Sequence, residues 1–83
     1  MLNMEKYLIN YNNGFTKEVH GDLDFAIETA MSYIGYTQES ITISELKTGK
    51  IVATSYWYGI LATEDYVVSF DFGEFGFYGE WIK

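Results

Sequence analysis

A chain of 83 residues closes only one hydrophobic core, so a single domain is expected. A 48% hydrophobic and 19% aromatic content excludes an intrinsically disordered chain, and the absence of cysteine excludes a disulfide framework or thiolate metal site. Twelve acids against five lysines, with no arginine, leave a net charge of −7, which repels phosphate and argues against direct binding of nucleic acid or anionic membranes.

The opening Leu2-Asn3-Met4-Glu5-Lys6 lacks the basic start and apolar run of a secretory signal. No stretch approaches the ~18 apolar residues of a membrane span. With no cysteine staples, a soluble cytoplasmic protein is the expectation.

Lys6, Leu8 and Asn10 alternate with Tyr7, Ile9 and Tyr11, the period-two pattern of a strand. Phe15 to Val19 alternate again. The intervening Asn12-Asn13-Gly14 predicts an antiparallel hairpin closed by a type I′ turn, because Asn-Gly tolerates positive φ at both central positions. Asp22 is placed to cap a helix, with Asp24 in the first turn where the macrodipole favours an acid. Leu23, Ala26, Ile27, Ala30, Met31 and Ile34 then form one apolar stripe. A helix over residues 23–34 follows, with Gly35 as its left-handed stop.

Ser40 to Leu46 read as a strand, Lys47-Thr48-Gly49-Lys50 as a turn, and Ile51 to Tyr58 as the partner strand, β-branched and then aromatic. Gly59 to Asp65 are expected as a loop or an irregular edge. From Tyr66 to Phe72, alternation places Tyr66, Val68, Phe70 and Phe72 on one face. The glycine-punctuated residues 73–83 are expected as an edge strand or a tail across the sheet. The predicted class is α+β, ββαβββ, with a mostly antiparallel sheet of about five short strands packed against one helix.

Ten of the chain's rings lie in residues 56–81, the largest departure from average composition. A small core commonly recruits every ring it has. The alternative is a binding patch, because exposed Tyr and Trp offer large rigid area at low entropic cost. The interaction candidates are Tyr56, Trp57, Tyr58, Phe77, Tyr78 and Trp81, with Glu74 and Glu80 as acidic neighbours.

Gly73-Glu74-Phe75-Gly76-Phe77-Tyr78-Gly79 has the glycine density of a phosphate loop but not its chemistry. No lysine or helix start follows, and Glu74 and Glu80 repel an anion. The single histidine, His20, has acids nearby but no nucleophile to serve, so no catalytic residues are assigned. Glu64, Asp65, Asp71, Glu74 and Glu80 lack the alternate spacing around glycine of a calcium loop. No metal or other cofactor is expected.

Asn13-Gly14-Phe15-Thr16, Tyr36-Thr37-Gln38, Ile41-Thr42-Ile43, Trp57-Tyr58-Gly59 and Phe72-Gly73-Glu74-Phe75-Gly76-Phe77-Tyr78 together resemble a group of small proteins from phages and conjugative elements of Gram-positive bacteria. The resemblance spans most of the chain and implies a mobile-element accessory role, with no catalytic residues. Acidic proteins of such elements include inhibitors that mimic nucleic acid. The expected function is a non-enzymatic acidic interaction module docking a basic, nucleic-acid-handling protein. The alternatives are a homodimer through edge strands and rings, and a small-ligand domain in which rings stack on a sugar.

Overall fold

The computed structural model describes residues 5–83. Leu2 to Met4, read above for a signal sequence, lie outside the described residues. The first alternating run forms β1 (Glu5–Asn10) and the second forms β2 (Thr16–Gly21), paired antiparallel with Tyr7 opposite Val19 and Asn10 opposite Thr16. The hairpin stands as predicted, but its turn is not type I′. Asn12 and Gly14 hold φ of +58° and +95° with Asn13 between them, and the Tyr11 N–H donates to the Phe15 carbonyl at 3.1 Å. The side-chain oxygens of Asn10 and Asn13 accept from the amides of Asn12 and Phe15 at 2.8 and 3.0 Å, and these Asx turns favour the longer loop.

Asp22 caps α1 (Leu23–Ser32), accepting from the Phe25 N–H at 2.8 Å. Ala26 and Ala30 are buried, and Leu23, Ile27 and Met31 pack around the core. The helix ends two residues before the predicted point, and Gly35 is not a left-handed stop. Tyr33 terminates the helix at φ −112°, and Ile34 to Tyr36 continue as a 3-10 turn with Gly35 outside the positive-φ region. Ile34 is still buried, so the apolar stripe is completed by that turn.

β3 (Ile41–Glu45) pairs antiparallel with β1, and β4 (Ile51–Ser55) pairs with β3, giving a four-stranded sheet ordered β2-β1-β3-β4. Ile9, Ile43 and Ala53 lie side by side across it and face the helix with Tyr7, Val19 and Ile41. Fully burying each large apolar side chain contributes about 1.5–3 kcal/mol.

The predicted strand 51–58 divides at Tyr56. β3 starts at Ile41, whose partner is Ser55, so beyond that pair the first sheet has no backbone left to offer. The Trp57 N–H instead donates to the Ser40 hydroxyl at 3.0 Å. The chain then crosses into a second antiparallel sheet, made of β5 (Trp57–Tyr58), β6 (Val68–Asp71) and β7 (Phe77–Gly79) in the order β5-β7-β6.

The C-terminal segment is therefore neither an edge strand nor a tail: β7 is the central strand of this sheet. Beyond it, Ile82 bridges Thr54 through hydrogen bonds of 3.0 and 2.9 Å and covers the β4 edge. The α+β class with one helix on antiparallel strands holds, with seven short strands in two sheets among the described residues.

Candidate functional site

The two faces of the second sheet do different work. Trp57 pairs with Tyr78, and Tyr58 pairs with Phe77, so alternation sends each pair to opposite sides. Tyr78 belongs to the main core with Ile9 and Ile41, and Trp57, Phe72 and Trp81 pack against that cluster. The Tyr78 hydroxyl lies 2.9 Å from the carbonyls of both Thr37 and Glu39 and donates to them, while the Thr37 hydroxyl donates to the Tyr11 carbonyl at 2.8 Å. Tyr11 in turn donates to the Ala30 carbonyl at 2.7 Å. These bonds tie helix, first sheet and second sheet together. Burial pushes the phenols of Tyr78 and Tyr11 above the ordinary tyrosine range, Tyr11 the further.

The other face carries a pocket of about 240 Å³ lined by Tyr56, Tyr58, Asp65, Tyr66, Val67, Phe77, Gly79, Glu80 and Ile82. Phe77 is its floor, 0% exposed because Tyr58 stacks on it at 5.0 Å and Tyr66 tilts against it at 5.0 Å. Tyr56, Tyr58 and Tyr66 remain 48%, 39% and 41% exposed. Strict alternation would group Tyr66 with Phe70 and Phe72, but the strand begins only at Val68. Tyr66 sits in the preceding turn, its N–H donating to the Thr63 carbonyl at 3.1 Å. Its ring thus joins Tyr58, while Phe70 and Phe72 meet edge-on at 5.0 Å on the Trp57 side.

Of the sequence-derived candidates, Tyr56, Tyr58, Phe77 and Glu80 meet at this pocket. Phe77 and Tyr78 are wholly buried, so neither is an exposed anchor: the central position of β7 covers Phe77 with rings and turns Tyr78 into the core. Trp57 packs inward against Tyr78 at 4.9 Å. Trp81 rests on the helix, its indole N–H donating to the Met31 sulfur at 3.2 Å. Glu74 is exposed in the 3-10 turn Gly73–Phe75, outside the pocket.

Asp65, Tyr66, Val67, Gly79 and Ile82 were not among the candidates. For Asp65 and Tyr66 the local signal is the aromatic-acidic run Glu64-Asp65-Tyr66, whose place beside Gly79 and Ile82 depends on pairing with a distant segment.

Asp65 and Glu80 are the two acidic residues that line this pocket. Among the described residues the ion pairs are His20–Glu18 at 3.1 Å and Lys83–Asp24 at 3.2 Å, so neither pocket acid is paired with a cation of the chain. The described residues also contain no group of three His, Asp or Glu side chains arranged to hold a metal, and no helix among them is long and apolar enough to cross a membrane. The pocket volume falls below the roughly 300–1,000 Å³ usual for drug-sized ligands and suits the head of a single side chain.

Comparison of the chain with protein-family models, with curated proteins and with solved structures finds no match.

Proposed function

We propose that this protein is a non-enzymatic interaction module that docks a basic protein partner through the outer face of its second sheet. The observation that carries the reading is the set of three half-exposed tyrosines around a pocket whose two acidic residues form no ion pair among the described residues. Tyrosine supplies contact area without much rotamer loss, and the net charge of −7 steers a positively charged surface toward it. Exposed Val67 and Ile82 extend the apolar rim.

Proteins that handle nucleic acid carry the Lys and Arg surfaces that such a face complements. An accessory or inhibitory role in the cytoplasm, of the kind the resemblance to small proteins of mobile elements implies, is part of this proposal. A homodimer across this face is disfavoured, because it would bring Asp65 and Glu80 of both copies together.

The test is titration with a Lys/Arg-rich peptide and, separately, an acidic peptide of the same length, at low and near-molar salt. Binding of the basic peptide alone, weakening as salt screens the charges, is expected. No binding, or binding indifferent to salt, sinks the proposal.

A further inference from the structure

Resting on that docking reading, we infer that the pocket is a receptor for one arginine side chain of the partner, held as a guanidinium between tyrosine rings and the Asp65 and Glu80 carboxylates. Three features converge on that group. A planar cation stacks favourably on aromatic faces, and Tyr56, Tyr58 and Tyr66 supply rings around a single cavity. The guanidinium's N–H groups lie at its rim, so it can stack on a ring and still donate edgewise to carboxylates, which a compact ammonium cannot do as well. The cavity volume of about 240 Å³ admits one such head and its adjoining methylenes but not two.

The walls are also set in advance. Tyr58 is fixed on Phe77, and Gly79 leaves the space that the Tyr58 ring edge occupies, with only 2.9 Å between that edge and the position a Cβ would take. The pocket therefore does not have to order its principal ring on binding, which lowers the entropic cost. Because the chain contains no arginine, a second copy cannot supply the guest. The occupant comes from a different protein, which separates this site from self-association.

The experiment follows backbone amide shifts of the intact protein on titration with N-acetyl-arginine amide, its citrulline counterpart and its lysine counterpart. Citrulline keeps the shape of arginine and loses the charge. The inference predicts saturable shifts at Tyr58, Gly79 and Glu80 with arginine, at least roughly fivefold weaker binding of lysine, and none with citrulline. The surface variants Asp65→Asn and Glu80→Gln, which leave the core untouched, should each weaken arginine binding roughly threefold to tenfold. Tyr66→Ala should also weaken it, and Tyr66→Phe should restore it.

Equal shifts from citrulline or lysine overturn the assignment, as does indifference to the Asp65 and Glu80 variants. If the basic peptide binds in a salt-sensitive way while the arginine derivative shifts nothing, the single-residue site is wrong and the docking reading stands. Silence from both removes the two together.

Discussion

Tyr58 lies nearly flat on Phe77, with ring centroids 5.0 Å apart and planes 19° from parallel. That stacking makes one tyrosine both the lid of a buried phenylalanine and the wall of an open pocket. It also dictates the residue at position 79, where the Tyr58 edge fills the space of a side chain.

Gly79→Ala should displace that ring. The Tyr58–Phe77 contact is local, so a loss of about 1 kcal/mol is expected together with a changed near-ultraviolet circular dichroism signal from the tyrosines. An unchanged spectrum at full stability would show that the ring has freedom the stacking denies it.

Gly76→Ala is a harsher change. At φ +132° the backbone is strained for any other residue, and the new Cβ would collide with the Tyr58 carbonyl oxygen and approach Trp57 Cζ2 to 2.7 Å. Neither the backbone nor the half-buried indole packed on the core yields cheaply, so a loss of about 2–4 kcal/mol is predicted in urea unfolding. Gly14 also has positive φ but nothing within 4 Å of the added Cβ, so Gly14→Ala should cost only about 1 kcal/mol.

Tyr78→Phe removes the donor shared by the Thr37 and Glu39 carbonyls and leaves the ring in place. Leaving the acceptor of buried Thr37 without a donor should cost about 1–3 kcal/mol. In a domain of this size each kcal/mol lowers Tm by roughly 4–8 °C. A variant that melts with the parent would mean that water reaches those carbonyls.

Stability should also fall at alkaline pH, with a defined sign. Burial raises the phenol pKa values of Tyr11 and Tyr78 above the ordinary tyrosine value of 10.0, so the folded protein keeps protons that the unfolded chain releases. The stabilisation is fully present below pH 10.0 and is lost as pH rises through the folded values, each phenol contributing a slope of about −1.4 kcal/mol per pH unit between its two pKa values. Chemical unfolding from neutral pH to strongly alkaline pH would show this, and Tyr78→Phe should flatten the slope.

Legibility in the sequence followed the range of the interactions. The β1–β2 hairpin and the helix capped by Asp22 were readable because strand alternation, Asx chemistry and the apolar stripe act over a few residues. The split at Tyr56 was not readable, since it depends on β3 running out of residues at Ile41 on another part of the chain. The centrality of β7 was hidden for the same reason: Phe77-Tyr78-Gly79 looks like an aromatic tail until β5 and β6 close around it. Among the pocket residues, the concentration of rings near the C-terminus pointed to the region where Tyr56, Tyr58 and Phe77 meet. It could not separate Tyr58 from Tyr78, because facing outward or inward is settled by pairing between strands.

The strand order β5-β7-β6 has a kinetic corollary. Its outer members precede its middle one in the chain and have no ladder partner until residues 77–79 come between them. The β6–β7 pairing is as local as the β1–β2 hairpin, with Asp71 opposite Phe77, so the larger loop-closure cost falls on adding β5 and on seating the Tyr78 hydroxyl at Thr37, 41 residues away. Substitutions at Trp57 or Tyr78 should accelerate unfolding while leaving the refolding rate nearly unchanged, placing the β5–β7 pairing and the pocket beside it among the last structures to form and the first to open.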